Sequence, residues 1–386
     1  IGTDDENSMA WIQGWLYILE KDMPPMAITS DDIKPLASNY PFIPMPWPLI
    51  HWGKDNSIIF IADAKGQSYI YQILLDSNEI YQLTDGGCQI NAFGISDDSN
   101  FAALDISSPI NPSEIRLLNL HTRKVKKITR IPGYLRKHPP AIMEKYTFKR
   151  NRYDIECRLW VPPDFDSTLK YPLILDIHGG PNSAFYDAFS INQQILATSG
   201  YLVLAVNPRG STTYGNDFAM AVLGDWGGED YLDLMEAITY VSQRSFVDEN
   251  RLGVFGYSYG GFMSSWIVGH TNRFKAAIIG APCIDLGSMY GTSDIGVSFG
   301  EPQWSGSPYN SKYINVERSP LTYVAKVQTP VLLLHGEVDV RCPIGQSEQY
   351  FVALKRSGKH VEFVRFPNCS HSFPRSGKLK LRQEYL

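Results

Sequence analysis

The sequence predicts a two-part α/β protein: short antiparallel β repeats over residues 1–138, then a mainly parallel sheet with helices over residues 139–386. Two changes of pattern predict it. Before residue 138, runs of alternating apolar residues recur at a fixed spacing. Beyond Pro139, apolar strands alternate with stretches of helical periodicity. A chain of 386 residues also exceeds what one core comfortably fills, so two domains are expected.

The repeat is direct. Ile70–Thr84 (IYQILLDSNEIYQLT) lies on Ile115–Thr129 (IRLLNLHTRKVKKIT) without a gap, and both copies end on threonine. The strand before each copy repeats as well, as IIFIAD at 58–63 and FAALD at 101–105, and Trp15–Thr29 is a looser copy. Short strands repeating at this length are the signature of β-propeller blades. Three copies are fewer than the four to eight blades of closed propellers, so a partial propeller is expected.

In the second half, strands are expected at 144–149, 154–161, 173–178, 202–206, 252–255, 276–279, 331–335 and 361–366. Helices are expected near 185–199, 231–244, 259–269 and 344–357. Runs such as PLILDIH and PVLLLHG suit strands covered on both faces. Arg130–Pro140, basic and rich in proline, reads as the linker.

Gly256-Tyr257-Ser258-Tyr259-Gly260 follows the strand LGVF and precedes the helical run GGFMSSWIV. Strand, turn and helix around G-x-S-x-G form the nucleophile elbow of the α/β-hydrolase fold. A serine hydroxyl needs an oriented base, and in this fold the acid and the histidine follow it in that order. Asp339, just after the strand 331–335, is the expected acid, with Glu337 and Asp285 as rivals. His371, after the last strand, is the expected base. His335 and His178 read as strand-end residues. The Tyr259 N–H and the loop His178-Gly179-Gly180-Pro181, through Gly180, are the expected oxyanion donors.

Other chemistry finds little support. A net charge of −5 without a basic stripe argues against nucleic acid, and no apolar run is long enough for a membrane helix. The eight histidines lack metal-ligand spacing, and no cofactor or metal is expected. Cys88, Cys157, Cys283, Cys342 and Cys369 form no C-x-x-C pair and are an odd number, which points to free thiols and a cytoplasmic protein. Cys342 and Cys369 sit close to the acid and the base, close enough along the chain for a bridge to be considered, and two separate thiols are expected.

From about Glu144 to the C-terminus the chain resembles the prolyl oligopeptidase family of serine peptidases, most closely its acylaminoacyl-peptidase branch. The resemblance lies in HGGP (178–181), NPRGSTTYG (207–215), GDWGGED (224–230), GYSYGG (256–261), YGTSDIG (290–296) and HGEVDVRCP (335–343). It implies a propeller joined to a C-terminal α/β-hydrolase domain, and hydrolysis of short peptides with release of acylated or free N-terminal residues. It also implies that Arg341 binds a substrate carbonyl next to the scissile bond; a structural arginine tethering the acid loop is the alternative. No local sequence matches the paired glutamates of the family's dipeptidyl peptidases. A carboxylesterase using Ser258, Asp339 and His371 is the competing enzyme reading, and a propeller-based interaction protein with a relic site is the non-enzymatic one. Tyr290, Phe299, Trp304 and Tyr309 are candidates to line a side-chain pocket. A short peptide is the expected partner, with self-association left open. A start at Ile1 and only fifteen residues after His371 lead to a further expectation: the remaining blades come from missing sequence or a companion chain.

Overall fold

The computed structural model describes residues 14–30, 33, 35, 50–130, 133–309 and 315–386; the start at Ile1 lies outside the described residues. The chain forms two compact units. One holds Ile142 and the residues before it with Ala184–Ile191 and Thr212–Ala219. The other holds Met143–Ser183, Asn192–Ser211 and Met220–Leu386.

In the first unit β1 (Tyr17–Ile18) pairs with β2 (Met26–Ala27). Two four-stranded antiparallel meanders follow. One runs β3 (Ile50–Trp52), β4 (Ser57–Ala64), β5 (Gln67–Leu74), β6 (Glu79–Gln82). The other runs β7 (Gln89–Ile95), β8 (Phe101–Ser108), β9 (Asn111–Asn119), β10 (Val125–Lys127). These meanders are propeller blades.

The threonine at the end of each repeat has a physical cause. Ile70 N–H donates to Thr84 Oγ1 at 2.9 Å and Ile115 N–H to Thr129 Oγ1 at 2.8 Å. The carbonyls of Ile70 and Ile115 accept from Leu83 and Ile128. The same closure joins Leu16 to Thr29 at 3.0 Å, so the third copy starts at Leu16, one residue later than the alignment placed it. Its loop is one residue shorter, which is why it matched more loosely.

Strand β4 is buried on both faces. Ile59 and Ile61 pack with Ile70 and Leu83 and with Phe93, Leu104 and Leu118 of the second blade. Ile58, Phe60 and Ala62, on the opposite face, pack with Leu16 and Ile73. Strand β8 buries only one face, through Ala102, Leu104 and Ile106. On its other face Phe101 is 36% exposed, as is Ile115 of β9 at 40%.

Two later segments belong to this unit because their hydrogen bonds attach them to the β4–β5 turn. Gly66 N–H donates to Thr213 Oγ1 at 2.9 Å, and Asp187 N–H donates to the Gly66 carbonyl at 2.8 Å. A continuous boundary at 138/139 assigns both segments to the C-terminal domain. The expected helix near 185–199 is shorter, running from Ile191 to Thr198, and within 185–190 the Asp187 N–H is directed to Gly66 instead of along a helix. Within the linker a helical turn forms at Tyr134–Lys137, while Ile131 and Pro132 lie outside the described residues.

The second unit is built on an eight-stranded sheet in the order β11 (Ile142–Arg150), β12 (Tyr153–Val161), β14 (Leu202–Asn207), β13 (Tyr171–Ile177), β15 (Val247–Tyr257), β16 (Phe274–Gly280), β17 (Val331–Gly336), β18 (Val361–Phe366). It has the α/β-hydrolase fold, and each expected strand is present. From β14 to β18 the neighbours run parallel. Their C-terminal ends therefore share one edge of the sheet, where α/β proteins place ligands. Helices occupy Glu229–Ser242, Tyr259–His270 and Gly345–Arg356. Among the described residues no helix is long and apolar enough to cross a membrane.

The threonine closure gives a stability prediction. Thr84→Val leaves the buried Ile70 N–H without its acceptor and should cost about 1–3 kcal/mol. Thr129→Val, at an exposed copy, should change stability by less than about 0.5 kcal/mol. Denaturant unfolding with amide exchange at Ile70 checks this, and equal effects of the two substitutions would overturn it.

Candidate active site

The elbow is shaped by close backbone contact. A Cβ at Gly256 would lie 2.2 Å from the Gly260 carbonyl, and one at Gly260 would lie 2.1 Å from the carbonyl of Ile177 on β13. A Cβ at Gly261 would meet the Gly280 carbonyl of β16 at 2.4 Å. The helix start is thus wedged against two strands, and Ser258 takes φ 63°, ψ −120°. Left-handed backbone is costly for a residue with a Cβ, and the packing around it holds it there.

Three strand ends converge on this serine. His371, after β18, places Nε2 3.0 Å from Ser258 Oγ. Its Nδ1 lies 2.6 Å from Asp339 Oδ2, after β17. Asp339 Oδ1 accepts the N–H groups of Arg341 and Cys342, each at 2.9 Å. His335 Nε2 approaches Oδ2 at 3.4 Å. Burial works to raise the Asp339 carboxyl, but the hydrogen bonds and charges of His335 and His371 outweigh it and hold the group at about 2. Asp339 therefore stays ionised and can stabilise an imidazolium, while His371 Nε2 can take the serine proton.

The rival acids have other partners. Asp285 Oδ1 caps the helix Leu286–Thr292 through the N–H groups of Gly287 and Ser288, and Glu337 pairs with Arg365 at 3.0 Å. Tyr259 is the first residue of its helix, so its N–H has no carbonyl four residues back within that helix. The loop after β13 runs beside the serine: a Cβ at Gly179 would lie 3.5 Å from Ser258 Cβ. Gly180, at φ 128°, has no room for a side chain, since a Cβ would meet Asn182 N at 2.6 Å. His178 holds this loop through Ser211 Oγ at 2.9 Å and the Gly179 carbonyl at 2.7 Å. Its burial lowers it to about 4, which keeps it neutral.

These distances give the sequence comparisons their context. The model of the prolyl oligopeptidase family matches residues 187–385. The chain belongs to the prolyl oligopeptidase family. It is 39% identical over 334 residues to the uncharacterized peptidase YuxL of Bacillus subtilis, covering 86% of this chain and 51% of that protein. It is 28% identical over 352 residues to the acylamino-acid-releasing enzyme of Mus musculus, covering 84% and 47%. Among solved structures, the uncomplexed acylaminoacyl peptidase of Pyrococcus horikoshii superposes with a TM-score of 0.84 at 26% identity, over 98% of this chain and 60% of that one. The chain thus spans about half the length of the relatives it matches.

Arg341, expected from the family pattern to meet substrate, has its guanidinium paired with Asp294 at 2.7 and 3.0 Å. Asp294 N–H also bonds the Val340 carbonyl at 3.0 Å and Ser293 Oγ bonds the Arg341 carbonyl at 2.6 Å. The YGTSDIG segment of this family member therefore braces the acid loop. The sequence offered a tethering arginine as the alternative role but not Asp294 as its partner, and it missed Tyr257, whose hydroxyl donates to the His371 carbonyl at 3.0 Å. Tyr257 stood in the elbow motif only as an unspecified position. The thiol that touches Cys342 is Cys283, at 3.7 Å, and all five cysteines are free. Cys342 Sγ also lies 3.9 Å from Ser258 Oγ. The four aromatics divide: Phe299 and Trp304 are buried against Trp226, whereas Tyr309 is 91% exposed with its edge toward Tyr290.

Folding lowers the Asp339 carboxyl from its unfolded value of about 4. Its stabilisation is therefore complete above that value and is lost as pH falls toward 2. Asp339→Asn should flatten the decline in stability between about pH 4 and pH 2. Denaturant unfolding at constant ionic strength measures the slope, and an unchanged slope would contradict the depressed carboxyl.

Proposed function

We propose that this chain carries the catalytic domain of a serine peptidase that releases acylated or free N-terminal residues from short peptides. The observation that carries the reading is the Asp339–His371–Ser258 hydrogen-bonded line ending on a strained serine at a helix start. Family membership and likeness to proteins named for release of acylamino acids support the substrate class.

In this reading Ser258 Oγ attacks the scissile carbonyl carbon as its proton passes to His371 Nε2. The oxyanion is received by the N–H groups of Tyr259 and Gly180. Collapse of the tetrahedral intermediate breaks the C–N bond, and the His371 proton leaves with the amine. Water, deprotonated by His371, then attacks the acyl-enzyme; the same proton returns to Ser258 as the acid product departs. Arg341, held by Asp294, offers its guanidinium to the carbonyl of the preceding residue or acyl group.

Two further parts of the reading concern the whole protein. The apolar outer face of β8 and β9, with Phe101 and Ile115, supports closure by blades outside these residues or from a companion chain. Five free thiols support a cytoplasmic setting.

One substrate panel tests the peptidase reading against the carboxylesterase alternative. Ser258→Ala should abolish fluorophosphonate labelling and lower kcat at least ~10³-fold on all substrates. Arg341→Ala should lower kcat/KM at least ~10-fold on acylated and free peptide anilides, the loss expected of a charged hydrogen bond. A short acyl ester that cannot reach Arg341 should be hydrolysed nearly as before. Equal losses on peptide and ester would assign Arg341 to bracing the acid loop, and a wild-type preference for simple esters would favour the carboxylesterase.

A further inference from the structure

The peptide joining Ser258 to Tyr259 carries the N–H assigned to the oxyanion, and it sits beside the most strained residue of the site. Besides the glycine wedge at the helix start, the side chain of Tyr259 holds it. The ring packs against Trp226, with centroids 4.9 Å apart, and Phe262, at 5.9 Å. Its hydroxyl donates to Asp230 Oδ2 at 2.5 Å. Asp230 is 1% exposed, in the first turn of the helix Glu229–Ser242. Its Oδ2 also accepts from Gly227 N–H at 3.2 Å, and its Oδ1 from Tyr231 N–H at 2.7 Å.

A ring anchored only by packing needs no carboxylate beneath it, and phenylalanine would fill the same aromatic cage. Burying a carboxyl is costly. The neighbouring arginines pair with other acids: Arg318 with Asp225 at 2.8 Å and Arg209 with Asp233 at 2.9 Å. Burial pushes Asp230 up to about 7; it also raises the Tyr259 phenol well above its usual value, so the phenol keeps a proton to donate. Between the Tyr259 backbone and its ring there are only two rotatable bonds. With the ring caged and the hydroxyl held, the backbone torsions open to Tyr259, and so the directions open to its N–H, are narrowed.

We propose that Asp230 is a positioning residue for the oxyanion site, setting the direction of the Tyr259 N–H through the Tyr259 hydroxyl. The proposal rests on Ser258 as the nucleophile. Asp230 acts through Tyr259, and the side-chain contacts described for it contain neither Ser258 nor His371.

Tyr259→Phe, which removes the donor, and Asp230→Leu, which removes the acceptor at similar size, test it. Three quantities are measured: kcat and KM on a peptide anilide, the rate at which a fluorophosphonate labels Ser258, and inhibition by a peptide aldehyde, whose adduct carries an oxyanion. In each variant kcat, labelling rate and aldehyde affinity should all fall by a similar factor of ~10–100, less than the ~10²–10³ of an oxyanion donor removed outright, because the N–H is misdirected rather than lost. KM should stay within about twofold, because ground-state binding does not use that N–H. The double variant should be little worse than either single one, since both break one link. If Asp230→Leu does not fold, Tyr259→Phe, which keeps the ring, carries the test. Wild-type labelling and aldehyde affinity in a folded variant would overturn the positioning role, as would a loss confined to KM. Absence of Ser258 labelling in the unsubstituted protein would instead remove the nucleophile assignment on which the role rests.

Discussion

The wedge of the helix Tyr259–His270 between β13 and β16 is the contact on which the rest of the site depends. Its first turn touches strand carbonyls so closely that no side chain fits at Gly256, Gly260 or Gly261. Such an approach aims the helix start at the sheet edge and forces Ser258 into a left-handed conformation. Strain of this kind costs about 1–3 kcal/mol and persists only where surrounding packing determines it. With the serine fixed, the parallel order β15-β16-β17-β18 settles where an acid and a base can reach it. Asp339 and His371 follow neighbouring strands and meet it from one side.

The charges around this wedge are handled in two ways. On the helix Glu229–Ser242, Asp233 is fully buried and paired, with Arg150 at 2.9 Å and Arg209 at 2.9 Å. Asp230, three residues earlier, faces a phenol and two backbone N–H groups instead. Paired arginines repay burial of Asp233 through Coulomb attraction and well-aligned hydrogen bonds. Asp230 lacks that compensation among these contacts and lies high on the pH scale. The same helix thus carries one carboxylate fixed as an ion pair and another held by neutral donors.

Much of this was legible because it is written in local pattern. The elbow needs small residues at fixed offsets, and the acid and base need loops after particular strands, so Ser258, Asp339 and His371 could be placed from spacing alone. The blade repeat was equally local, and its terminal threonine proved to be a hydrogen-bond acceptor rather than a coincidence of alignment. What escaped was set by tertiary contact. Nothing near Asp294 in sequence points to Arg341, 47 residues away, and nothing near Asp230 points to Tyr259. The attachment of 184–191 and 212–219 to the β4–β5 turn was hidden for the same reason, since backbone hydrogen bonds leave little trace in residue type. The approach of Cys283 to Cys342 was hidden likewise, across 59 residues of chain.

The way Asp339 is held has a consequence for which sequences this loop can accept. Its Oδ1 is bound by the main chain of Arg341 and Cys342, not by their side chains. The acid therefore asks one thing of those two positions, an N–H, and proline is the residue that cannot supply it. Pro343 stands immediately after them, where no N–H to the acid is called for. The carboxylate itself thus makes no demand on side-chain identity at 341 and 342, and the Arg341 side chain supports the loop from the other direction, through Asp294.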